Sequence, residues 1–158
     1  MVAYTDSLGF NKGTAAYTST YTNRFTVIEL ELDFAKIAAA RVAAGATALG
    51  SGDTLELFTL PKGTFVLNGS ATLTKAEGAA ANIDVGIKSG TTDFWIDGFD
   101  INGTVGAVGG YADTAAYLAT ADAVVLLTLN SASIDAAKVK LQFAVVNMGA
   151  DQGTVPSA

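Results

Sequence analysis

"DTLELFTLPKGTFVLNGSATLT", residues 53–74, decides the fold class. Two runs rich in apolar and Thr residues flank the corner Pro61-Lys62-Gly63, where Pro fixes φ and Gly admits backbone angles closed to other residues. In 54–60, Leu55 and Leu57 fall on one face; in 64–74, Phe65, Leu67, Ala71 and Leu73 do. Period-two spacing on both sides of a tight corner is the pattern of two antiparallel strands, with Gly69 a candidate bulge.

The same alternation extends in both directions. Upstream, "FTVIELELDFA" (25–35) sets Ile28, Leu30, Leu32 and Phe34 against Glu29, Glu31 and Asp33, which predicts a half-buried strand. The alanines that follow predict a short helix from about Ala35 to Ala44, stopped by Gly45; an extended Ala-lined crossover is the alternative. Downstream, "NIDVGIK" (82–88) alternates Ile83, Val85 and Ile87 with Asp84 and Gly86. "DFWIDGFDI" (93–101) predicts a strand with Phe94 and Ile96 on one side and Trp95 on the other. "AVVLLTLN" (123–130) and "KVKLQFAVVN" (138–147) read as paired core strands joined by "SASIDAA". Short strands divided by turn clusters at even spacing predict an all-β protein. The expected architecture is an antiparallel β-sandwich of jelly-roll type with at most one short helix.

Residues 1–24 differ from this body (25–149) and from the tail (150–158), which has no strand or helix signal. The first 24 residues lack a sustained period yet carry Tyr4, Phe10, Tyr17 and Tyr21, whereas a merely solvated tail is poor in aromatics. Tyr buries a large area at low entropic cost, so an extended arm that packs on a partner is one expectation. Its anchors would be Tyr4, Phe10, Tyr17, Tyr21 and Arg24. A first strand plus an ordinary ragged terminus is the other expectation. Asp6 against Lys12 and Arg24 makes the arm +1, leaving −7 for the remainder of a chain whose total is −6.

An acidic chain with nine scattered Lys and Arg residues is not expected to bind nucleic acid. No apolar run approaches the ~20 residues of a membrane helix, and no basic segment precedes an apolar core as in a signal peptide. Neither a membrane nor a cofactor is implied. The chain has no Cys, hence no disulfide and no thiolate-bound zinc, and no His, the commonest general base near neutral pH. The expectation is that it is not an enzyme.

Asp93, Asp97 and Asp100, with Asn102, form the densest acidic cluster. Oxygen ligands at short spacing suit calcium, but the spacing is not that of an EF-hand, and solvated strand edges with turn caps are the default. A glycosidase needs two carboxylates roughly 5–10 Å apart across a cleft, a distance that some pair of 15 acids meets by chance. Trp95 beside these acids suits a sugar platform, although a lone Trp in a β-sandwich is more often core. "NGTVG" and "GAVGG" lack the Lys-Ser/Thr of a phosphate loop and read as loops at one end of the sandwich.

Taken together, the Ala-rich link, "GDTLELFTLPKGTFV", the turn "AEG" (76–78), "IDVG" (83–86) and "TDFW" (92–95) resemble the head decoration, or capsid cement, proteins of tailed bacteriophages. The likeness covers residues 26–103 and, more loosely, the last two strands. It implies a virion structural protein on the capsid surface, often a homotrimer, that binds the major capsid protein and bridges neighbouring capsomers. Such a role needs a rigid sandwich and an adhesive extension, because many modest contacts repeated over a shell add up to avidity. The alternative is a tail-fibre module that binds a receptor or carbohydrate, with Trp95 and Tyr111 or Tyr117 on an exposed platform.

Overall fold

The structure, a computed structural model, describes residues 4–5, 11–12, 25–110, 116–131 and 133–147. Nine of its strands, β3 to β11, build two antiparallel sheets that face each other across one core. The first sheet contains β3 (Phe25–Asp33), β11 (Lys138–Asn147) and β5 (Thr64–Lys75), side by side. Beyond β5 lie two short segments, β8 (Val108–Gly109) and β9 (Tyr117–Leu118), which pair with different parts of it. The second sheet runs β4 (Thr54–Leu60), β10 (Ala123–Leu129), β6 (Asn82–Ile87) and β7 (Ile96–Asp100). With β8 and β9 taken as one interrupted edge strand, the body has eight strands in chain order. One sheet then runs first, eighth, third, sixth, and the other second, seventh, fourth, fifth. On the far side of β3, two-residue pairings β1 (Tyr4–Thr5) and β2 (Asn11–Lys12) continue the first sheet, Asn11 opposite Glu31 and Lys12 opposite Leu30.

Alternation built this core as the sequence predicts. Ile28, Leu30 and Leu32 of β3 and Val139, Leu141 and Phe143 of β11 point inward, against Leu55, Leu57, Val85 and Leu127 of the opposing sheet. Each such side chain, fully buried, contributes about 1.5–3 kcal/mol relative to exposure.

The predicted helix is present one residue earlier, as α1 (Phe34–Ala43). Asp33 caps it, its carboxylate accepting the Lys36 amide hydrogen at 3.4 Å. Its far end closes as the glycine implied. Gly45 has φ +77°, its N–H donates to Val42 O, and the Ala46 N–H donates to Arg41 O, a Schellman arrangement.

Two local expectations are corrected. Phe65 and Leu67 do not fill the core: Thr64 and Val66 do, while Phe65 is half-buried and Leu67 is 37% exposed. The register supplies the reason. Val145 of β11 faces Val66 and Ala144 faces Asn68, so β5 bulges at Leu67 and the inward parity flips there. Gly69, Ala71 and Leu73 then point inward. Likewise Trp95 and Ile96 do not alternate: β7 starts at Ile96, residues 92–95 turn, and both side chains are buried.

Candidate interaction surface

Trp95 is 3% exposed. Its backbone N–H donates to Val85 O at 2.9 Å, and its ring meets Phe94, Tyr117 and Phe143 edge-on at centroid distances of 5.4, 5.7 and 5.4 Å. Gly69 makes room for this cluster, since a Cβ there would lie 2.9 Å from Trp95 Cβ and 2.8 Å from Phe143 Cε1. Trp95 is therefore core and cannot form the sugar platform considered above. Tyr117 is half-buried in the same cluster, and Tyr111 lies outside the described residues.

The acidic cluster disperses. Asp100 caps its own turn by accepting the Asn102 amide hydrogen at 2.8 Å, and Asp97 is exposed. Among the described residues no three His, Cys, Asp or Glu side chains gather as a metal site would require.

Glu77 is an acid that the fold draws inside at the loop end of the sandwich. It is buried, and its carboxylate accepts the N–H groups of Asp135, Ala136 and Ala137 at 2.7, 3.0 and 2.7 Å. Its own N–H donates to Ile101 O at 2.9 Å, and Gly78 N–H donates to Asn102 Oδ1 at 2.9 Å. The "AEG" turn thus ties together three loops, those between β5 and β6, β7 and β8, and β10 and β11. In the sequence Glu77 looked only like a turn residue.

The outward face of the first sheet is divided. One half is a charged lattice across β3 and β11. Lys140 Nζ lies 2.9 Å from Glu29, Gln142 donates to Glu29 at 2.9 Å, and Lys138 Nζ lies 2.9 Å from Asp33. The hydrogen bond from Lys140 outweighs burial and holds the Glu29 carboxyl below its ordinary value. At Asp33 burial works to raise the carboxyl, but the bonds and charges of Lys138 and Lys36 together depress it. Lys138 is correspondingly raised by its bond to Asp33.

The other half is apolar. Cross-strand register aligns Phe25, Val146, Phe65 and Leu118 in one row over β3, β11, β5 and β9, with Val27 opposite Ala144 in the next row. Phe25 is 62% exposed, Val27 46% and Leu118 47%. The signal was present in the sequence, because Phe25 and Val27 share parity with Glu29 and Glu31 rather than with Ile28 and Leu30.

Of the five predicted arm anchors, Tyr4 belongs to β1 through its backbone; Phe10, Tyr17, Tyr21 and Arg24 lie outside the described residues.

No family model matches the chain, and no curated protein matches it. Solved structures do. A chain in the acid-stable capsid structure of Helicobacter pylori bacteriophage KHP30 matches 79% of this chain and 90% of its own length, at 16% identity and TM-score 0.57. A chain in the cyanophage Pam1 capsid matches 85% of this chain and 92% of its own, at 15% identity and TM-score 0.56. A third, in the capsid of Ralstonia phage GP4, matches 82% and 89%, at 14% identity and TM-score 0.57. At these identities the likeness is one of fold, and it spans 79–85% of this chain and 89–92% of the others.

Proposed function

We propose that this chain is a structural protein of a bacteriophage virion, a cement or decoration protein seated on the capsid surface. The observation that carries the proposal is the fold likeness, over 79–85% of this chain, to three chains from phage capsid structures, whose own lengths are matched over 90%, 92% and 89%. The strand order is consistent with it: we read first–eighth–third–sixth against second–seventh–fourth–fifth as a jelly roll, an architecture common in capsid domains. In this role the major capsid protein is the partner, a homotrimer is the assembling unit, and no catalytic residue or cofactor is required. The arm residues Tyr4, Phe10, Tyr17, Tyr21 and Arg24 are the proposed contacts to the shell or to a neighbouring copy.

The test is a reconstruction of the virion that carries this chain, joined to mass spectrometry of the purified particle. The expected result is sandwich density on the outer shell, touching more than one capsomer. A particle lacking the chain, or density confined to the tail fibres, overturns the proposal.

A further inference from the structure

An asparagine followed by glycine can close on itself, because no side chain shields the glycine nitrogen from the asparagine carboxamide. The chain has two such pairs, Asn68-Gly69 and Asn102-Gly103. The fold treats them differently. Asn68 lies within β5 opposite Ala144 of β11, and Gly69 is buried opposite Phe143, where a Cβ would strike Phe143 and Trp95. Ring closure there would turn the backbone out of its extended form and break the register with β11. Asn102-Gly103 lies outside any strand, on the loop between β7 and β8, and Asn102 is exposed. Its Oδ1 accepts the Gly78 N–H at 2.9 Å, which draws electron density from the carboxamide carbon. Its own N–H donates to Asp100 Oδ1 at 2.8 Å, which fixes the turn. Among the described residues the Gly103 N–H has no hydrogen-bond acceptor, so no bond need break for it to react. The fold itself does not require glycine at 103. A Cβ there would meet only Asp100 atoms, none nearer than 3.5 Å, and its φ is not in the left-handed region.

We propose that Asn102 is a site of self-modification, at which the folded chain converts asparagine to aspartate and isoaspartate without an enzyme. Hydroxide takes the proton of the Gly103 N–H, and that nitrogen forms a bond to Asn102 Cγ. The negative charge collects on Oδ1, where the Gly78 N–H already points and stabilises it. The bond from Cγ to the side-chain nitrogen then breaks. Water protonates the departing nitrogen, which leaves as ammonia, and the hydroxide is regenerated. The product is a five-membered succinimide, which a second water opens at either carbonyl. Opening at Cγ gives aspartate. Opening at the main-chain carbonyl gives isoaspartate, in which Cγ and its oxygen enter the main chain and lengthen it by one carbon. Either product adds one negative charge to the loop. Isoaspartate also removes the Gly78 acceptor, and so releases the tie between the β7–β8 loop and the "AEG" turn. The inference does not depend on the virion role, since it concerns the chain alone.

Ageing the full chain in mildly alkaline buffer tests it. Peptide mass spectrometry reads the replacement of amide by acid, and an isoaspartate-specific carboxyl methyltransferase reads the lengthened product. Asn102 is expected to be lost about tenfold faster than Asn68, a barrier lower by about 1.4 kcal/mol. The rate should rise about tenfold for each added pH unit, because hydroxide takes the first proton. Gly103→Ala sets a methyl group beside the attacking nitrogen and should slow the loss about tenfold while Asn68 is unchanged. Gly103→Ser repeats the test if the alanine variant loses amide protection in β10. In the aged wild-type chain the Gly78 amide should exchange about tenfold faster than in the fresh one. Asn102 retained as long as Asn68 overturns the assignment. So does loss of Asn102 that neither Gly103 variant slows, and so does aspartate formed without isoaspartate, which would mean direct attack by water and no ring.

Discussion

Replacing Glu77 by Gln changes one oxygen into an amide nitrogen and keeps the shape, which makes it a clean probe of the loop end of the sandwich. In the wild-type chain Oε1 accepts the Asp135 N–H and Oε2 accepts those of Ala136 and Ala137. The glutamine can place its single oxygen at the Oε2 position and keep two of these bonds. Its NH2 group then faces the Asp135 N–H, donor against donor. One lost bond with a donor left stranded costs about 1–3 kcal/mol. The two surviving bonds lose their charge assistance, roughly half their strength, for about 0.5–1 kcal/mol each. Against this, a neutral amide is cheaper to bury than a carboxylate. The expected net loss is about 2–4 kcal/mol. For a chain of this size that corresponds to a melting temperature lower by about 5–15 °C. Urea unfolding at constant m would measure it, and amide exchange at 135–137 should accelerate in the same variant. A Glu77→Gln chain within about 0.5 kcal/mol of wild type, a difference typical of surface changes, would refute the latch.

Three further outcomes follow from particular contacts. A Cβ on Gly86 would lie 2.2 Å from Thr91 O and 2.4 Å from Thr92 C, backbone atoms that cannot step aside, so Gly86→Ala should cost about 1–3 kcal/mol or more. The control Gly90→Ala, whose nearest neighbours would be Ile87 atoms at 3.6 Å, should stay within about 0.5 kcal/mol by denaturant unfolding. Trp95→Ala should cost about 3–5 kcal/mol as a core truncation, whereas Trp95→Phe should cost less because Nε1 makes no hydrogen bond among the described residues; equal stability of wild type and Trp95→Ala would contradict the burial. The depressed Asp33 carboxyl stabilises the fold above its unfolded value of about 3.9, and that contribution is lost as pH falls through the lower folded value, because the unfolded chain takes the proton first. Asp33→Asn can keep the helix cap but not the ion pairs, so its deficit against wild type should be largest near neutral pH and should shrink toward pH ~2.5 in urea titrations.

What the sequence made legible was what repeats locally. Ile28, Leu30 and Leu32 declare a strand with one buried face because period two is a property of neighbours along the chain. The helix stop at Gly45 is equally local, set by one residue's freedom at φ +77°. Misread features were those decided by a partner strand. The bulge at Leu67 exists because β11 offers Val145 and Ala144 to Val66 and Asn68, and nothing in "TFVLNGS" alone says which residue the ladder will skip. Trp95 turned inward because residues 92–95 bend over Gly86, where only a glycine lets the Thr91 carbonyl approach. Glu77 was opaque for the same reason: its three donors come from 58 to 60 residues further along the chain.

The divided face of the first sheet shows how one strand can carry two instructions. In β3 the inward parity carries Thr26 and then Ile28, Leu30 and Leu32, while the outward parity changes from Phe25 and Val27 to Glu29 and Glu31 within four residues. The charged half has its counter-ions on β11, in Lys138 and Lys140, so water and ion pairs satisfy it without any further chain. Among the described residues the apolar half has no such internal answer: its row crosses four strands, from Phe25 to Leu118. Exposed apolar residues scattered singly need no explanation, but a contiguous apolar row is a surface on which molecules can associate.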